Sequence, residues 1–133
     1  MKKVLVLCLA ALLAGCTKEQ IARNAVITAM TTGYWKVASF KNGSTDLTTD
    51  FAPYKFQFKE NLTVDAINNT TIERTGTWTA DANAKTITSF FSNAGHPLIL
   101  LNGTWQITRS DWTFVEASQT ANNELRTLRL EKN

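Results

Sequence analysis

Three guanidinium groups stand among the apolar residues of this chain in a pattern that could grip an anion. Arg74 shares strand parity with Ile72, Gly76 and Trp78, Arg109 with Trp105 and Ile107, and Arg126 with Leu128 and Leu130. Alternate residues of a strand share one face, so if those apolar residues point inward, the three arginines do too. A guanidinium fork suits a carboxylate, and a buried arginine is costly without a partner. Glu116, on the parity of Trp112 and Phe114, is one candidate partner, and an anionic ligand is another. The competing arrangement puts each arginine at a strand end, its stem along the wall and its head in water.

The rest of the chemical inventory is thin. The single histidine, His96, precedes Pro97 in a loop-like stretch, and a lone loop histidine is poor material for a catalytic centre. Asp46 and Asp50 lack the ligand spacing of a calcium loop and read as turn residues. There is no glycine-rich phosphate loop, no paired histidine ligand set and no nucleophile elbow. The expectation is a protein that is not an enzyme and uses neither cofactor nor metal.

The two cysteines belong to the first sixteen residues. Lys2 and Lys3 precede the apolar run Val4 to Leu13, and Ala14, Gly15 and Cys16 follow. That is the three-part plan of a bacterial export signal, and its apolar run is too short to cross a bilayer. Leu13-Ala14-Gly15-Cys16 resembles the lipobox of bacterial lipoproteins at all four positions. The resemblance implies diacylglycerol on the Cys16 sulfur, cleavage after Gly15 and acylation of the new amino group with a palmitate-type chain. Each buried methylene contributes about 0.8 kcal/mol, so such an anchor holds the membrane permanently. The expected location is the bacterial cell envelope, as an outer-membrane lipoprotein facing the periplasm or the surface. Thr17-Lys18-Glu19-Gln20 loosely resembles lysine-plus-acid surface-export signals and reads equally as a solvated tether.

With Cys8 removed and Cys16 acylated, the mature domain has no free thiol and no disulfide, so its core must supply the stability. Thiolate metal sites and cysteine catalysis are excluded with them. The formal charge is +3, and without Lys2 and Lys3 it is about +1. Nothing in that balance calls for a nucleic-acid partner.

Residues 1–15 are thus read as the signal, 16–32 as tether and short helix, and 33–133 as one β domain. Ile21, Ala22, Ala25, Val26, Ala29 and Met30 repeat at helical spacing, and Thr31-Thr32-Gly33 breaks the pattern. Beyond Gly33, threonine, aromatic and β-branched residues dominate, with turn residues at short intervals. Eight strands follow: Tyr34 to Lys41, Tyr54 to Lys59, Leu62 to Ile67, Thr71 to Thr79, Lys85 to Phe91, Thr104 to Arg109, Trp112 to Ala117 and Glu124 to Glu131. Most connections are short, as antiparallel neighbours require. Pairing the first strand with the last removes both edges. The expected fold is all-β, an eight-stranded antiparallel up-and-down barrel behind a short N-terminal helix.

Gly33-Tyr34-Trp35, Gly76-Thr77-Trp78 and Gly103-Thr104-Trp105 share the pattern G-x-W. In each, glycine permits a bend or a close approach, and the tryptophan can plug a barrel end while its ring N–H finds a carbonyl. The first of these, behind a short helix, resembles the lipocalin family. Ser110-Asp111-Trp112 sits where lipocalins often carry Thr-Asp-Tyr, and Arg126 or Arg129 is placed to match the arginine that packs on the first tryptophan. The span from Gly33 to Asn133 is similar to short lipocalin-like lipoproteins of Bacteroidota, through Trp35-Lys36-Val37, Asp46-Leu47-Thr48-Thr49-Asp50-Phe51 and Gly76-Thr77-Trp78 in order.

The resemblance implies non-catalytic binding of a small hydrophobic or amphipathic molecule inside the barrel. Its wall would come from Trp35, Tyr54, Phe56, Phe58, Trp78, Trp105 and Phe114, with Val37, Leu62, Val64 and Ile87. Arg74, Arg109 and Arg126 would meet a carboxylate, as arginines do in the related fatty-acid-binding barrels. So many rings can equally fill the barrel, which would then act as a protein- or glycan-interaction module at the envelope. A cavity above about 300 Å³ separates the two readings.

Overall fold

A computed structural model of the chain describes residues 21–133. The expected export segment, Cys16 and the first residues of the expected helix lie outside the described residues. A helix, α1, occupies residues 21–31. Nine strands follow: β1 (Trp35–Asn42), β2 (Thr45–Asp46), β3 (Tyr54–Phe58), β4 (Thr63–Asn68), β5 (Thr71–Asp81), β6 (Thr86–Phe90), β7 (Gly103–Ser110), β8 (Phe114–Ala121) and β9 (Glu124–Lys132). The two-residue β2 only folds back on the end of β1. The other eight run antiparallel in chain order from β1 to β9, and β1 pairs with β9 to close the ring. The expected eight-stranded barrel with one short helix in front is the observed fold.

The closure is unequal on its two sides. β1 meets β9 through seven residue pairs, from Trp35 with Lys132 to Asn42 with Arg126. It meets β3 through one, Trp35 with Phe56. The hairpins use the turn chemistry visible in the sequence. Asn122 and Asn123 join β8 to β9 with φ of 54° and 62°, a two-residue turn whose twist matches that of the strands.

Inward positions follow the alternation until a bulge intervenes. Trp35 and Val37 face the core on β1, but the register shifts before Ser39, and Phe40 takes the next inward place. On β7 the same happens between Ile107 and Arg109. A bulge inserts one residue and reverses parity beyond it. The expected seventh strand also begins later, at Phe114. The Asp111 carboxylate accepts the backbone N–H groups of Thr113 and Phe114 and the Thr113 hydroxyl, which holds Trp112 in the turn.

Both ends of the barrel are closed. At the helix end, α1 lays Val26, Ile27 and Met30 on the core. Its C-terminal carbonyls are satisfied from the barrel: Trp35 Nε1 donates to Met30 O, and Lys132 Nζ donates to Ala29 O and Thr32 O. At the opposite, turn end, two 3-10 turns fold over the opening. Thr48–Phe51 buries Phe51, and Leu98–Leu101 buries Leu98 and Leu101.

Candidate functional site

The barrel interior was the expected binding chamber, and it is almost solid. The remaining apolar void measures about 40 Å³, with Phe56, Phe58, Ile87, Trp105, Ala117 and Leu128 on its wall. Small-molecule pockets run from roughly 300 Å³ upward. The volume would hold a water, but a water needs two or more polar partners. The one hydroxyl in the lining, that of Ser89, is already donated to Leu101 O. The rings account for the missing space. Phe58 meets Trp78 edge-on at 5.3 Å, Phe40 meets Trp105 at 5.9 Å, and Phe56 lies 6.4 Å from Phe91.

The three G-x-W tryptophans seal this core and tie down the chain around it. Trp35 bonds Met30 O at the helix end, Trp78 bonds Lys59 O in the β3–β4 turn, and Trp105 bonds Leu101 O under the second 3-10 turn. All three rings are buried. The glycine two residues earlier has a different task each time. Gly33 and Gly103 hold φ of +74° and +111°, whereas Gly76 has ordinary φ and lies where a Cβ would sit 2.5 Å from Phe90 O.

The three arginines do not converge. Arg109, beyond the β7 bulge, points outward and binds Glu116 on β8 at 2.5 Å. Arg74 keeps the inward parity opposite Ala66, but at the turn end, where it donates to Ser92 O from an exposed position. Arg126 is half-buried at the same end, bonded to Asn42 Oδ1 and Gln119 Oε1. The arrangement with inward guanidiniums around a ligand is therefore corrected to the strand-end arrangement for Arg74 and Arg126, and to an outer-face ion pair for Arg109.

Phe114 is corrected as well: it lies outside the wall, with Arg129 4.2 Å and Arg109 5.5 Å from its ring centre. Glu116 joins these two arginines, and Arg129 continues to Glu131 at 2.7 Å. Hydrogen bonding from Arg109 and then Arg129 holds the Glu116 carboxyl below its usual range. Neither Arg126 nor Arg129 covers the first tryptophan. Lys132 does, 4.4 Å from the centre of the Trp35 ring, where burial lowers the pKa of its ammonium group.

Tyr54 stands at the turn end, and its hydroxyl donates to the Glu73 carboxylate, which also takes an Asn68 amide hydrogen. Burial first, and the Glu73 contact second, push the phenol pKa up. His96 and Asp50 meet at 2.7 Å and link the two turn-end loops, both well exposed. No group of three or more potential metal ligands occurs among the described residues.

Two features were missed in the sequence. Asp65 faces outward on β4 yet is only 2 % exposed. It is held by Lys59 at 2.8 Å and by the Thr75 hydroxyl at 2.7 Å. Burial alone would raise its pKa, but these two partners outweigh burial and lower it. The second is a groove of about 530 Å³ on the outer face of β6, β7 and β8. Thr86, Thr104, Gln106, Ser118, Gln119 and Thr120 line it, and no charged side chain does. Register pairing of Thr86 with Gln106, and of Gln106 with Ser118, makes this one continuous surface. Its signal was present as polar residues alternating with apolar ones on β6 and β7, beside the polar run Ser118-Gln119-Thr120 on β8.

No protein-family model matches the chain, and no curated protein matches it. Among solved structures it is similar to a DUF4847 family protein from Bacteroides vulgatus ATCC 8482. The TM-score is 0.56 at 14 % identity, over 81 % of this chain and 97 % of that one. The likeness is one of fold.

Proposed function

We propose that this chain is a lipid-anchored, non-catalytic binding module of the bacterial envelope whose closed barrel engages its partner from outside. The observation that carries the reading is the filled interior. A void of about 40 Å³ beneath three sealing indoles leaves no room for a fatty acid or comparable molecule. The lipocalin-like motifs then describe how the barrel is built, and the tryptophans act as its plugs.

The outer groove on β6 to β8 supplies a surface of suitable size. Its lining of hydroxyl and amide groups without charge suits an uncharged, polyhydroxylated ligand, which offers donors and acceptors of the same kind. The reading is therefore of a neutral glycan of the envelope held on the outside of the barrel. The lipobox at Leu13 to Cys16 supports the placement at a membrane.

Two titrations test it. The dye 1-anilinonaphthalene-8-sulfonate and a long-chain fatty acid should show no saturable one-to-one binding; stoichiometric uptake of either overturns the filled-barrel reading. Affinity electrophoresis through neutral polysaccharides (a glucan, a xylan and a mannan) should retard the protein. A Thr104→Lys, Ser118→Lys double variant should run unretarded. Equal retardation of parent and variant overturns the groove as the site.

A further inference from the structure

Trp112 differs from the other tryptophans in that it is 60 % exposed, at the tip of the β7–β8 turn. That turn belongs to the helix end of the barrel. A cleft there is lined by Ala22 and Val26 of α1 together with Ile107, Thr108, Arg109 and Ser110 of β7. The N-terminal half of α1 thus lies directly beside the strand that leads into Trp112. Ile21, at the start of the described helix, is exposed too.

We propose that this rim, with Trp112 and Ile21 at its edge, rests on the bilayer surface and fixes the orientation of the barrel. The inference depends on the lipid anchor proposed above. Four residues separate Cys16 from Ile21, five steps along the chain, and even a fully extended chain spans no more than about 3.6 Å per step. Ile21 therefore stays within roughly 18 Å of the acylated sulfur. The exposed indole sits on the same rim as the start of α1, where this short tether would join the domain. A tryptophan with a wet edge and an apolar body favours the headgroup region.

Net charge does not make the contact. Lys85, Arg109 and Arg129 stand near the rim against Asp81, Glu116 and Glu131. Docking this end turns the opposite end, with exposed Phe90, Ile99 and Leu125, away from the membrane.

The test uses the full chain, processed in a bacterial host and reconstituted into phosphatidylethanolamine–phosphatidylglycerol vesicles doped with brominated phosphatidylcholine. Trp35, Trp78 and Trp105 are buried and form a common background, so parent minus Trp112→Phe isolates the emission of Trp112. That difference signal should fall at least about twofold with brominated lipid, as expected for an interfacial ring. It should also be shielded from aqueous acrylamide. A Leu125→Ser variant, altered at the far end, should match the parent. If the protein floats with the vesicles while Trp112 ignores bromine and stays open to acrylamide, the docking is overturned and the anchor stands. If the processed protein does not float, the anchor fails and the docking with it.

Discussion

Substituting Gly76 by alanine should cost far more than a methyl group normally does. A Cβ at this position lies 2.5 Å from Phe90 O and 2.8 Å from Phe91 Cδ1, both inside contact distance. Phe90 O belongs to backbone that pairs with Thr77, the next residue on β5. Relief therefore requires the end of β6 to lift from β5, and the buried Phe91 ring to shift against Phe56 as well. Overpacking of this kind costs about 1–3 kcal/mol, and the backbone partner places Gly76→Ala at the upper end. At roughly 4 °C per kcal/mol for a domain of this size, the melting temperature should fall by about 8–12 °C. Gly33→Ala is the internal comparison: nothing lies within 4 Å of its Cβ, and only φ of +74° resists the change. A left-handed alanine costs about 1–2 kcal/mol. Thermal unfolding by circular dichroism and urea unfolding by tryptophan emission would measure both variants. A Gly76→Ala protein as stable as the parent, or more stable than Gly33→Ala, would refute the argument.

Lys132→Met keeps the stem but removes the ammonium from the Ala29 carbonyl of α1, from the Thr32 carbonyl just beyond it and from the Trp35 ring. Hydrogen bonds to charged groups are worth about 1.5–3 kcal/mol, so α1 should exchange its amide hydrogens faster while the strands hold theirs. Ala117→Val adds carbon to a wall of the residual void, and filling it should stabilise by about 0.5–2 kcal/mol, read from the urea midpoint. Asp65 and Glu116 both titrate below their ordinary values. Their stabilisation is therefore present above about pH 4 and lost as pH falls through the folded-state values. Asp65→Asn should flatten the acid limb of a stability–pH profile; an unchanged limb would count against the Lys59 contact.

The barrel was legible because its signals are local and repeated. Tyr54, Phe56 and Phe58 alternate with polar residues, and the Asn-rich turns punctuate the chain at hairpin spacing. The pairing of the first strand with the last followed from the need to hide edges. The inward face was legible only up to each bulge. Nothing at Thr108 in the sequence announces an extra residue, so Arg109 was carried onto the wrong side; Phe114 was misplaced for another reason, since β8 has apolar residues on both parities and it is Val115 and Ala117 that face inward. Asp65 was hidden because its partners are Lys59, just past the end of β3, and Thr75, opposite it on β5. The filled interior was equally out of reach, since it depends on how rings from opposite walls meet.

The unequal seam around β1 bears on how the protein comes into being. Its opening strand leans on β3 at one point and on the final strand along nearly its whole length. In a nascent chain released piece by piece, residues 35–42 meet only β2, the first 3-10 turn and one residue of β3 until the closing residues arrive. Maturation must therefore wait for the tail, and such end-to-end closure is slow by nature. A chain shortened by the length of its last strand would present an open, adhesive ribbon.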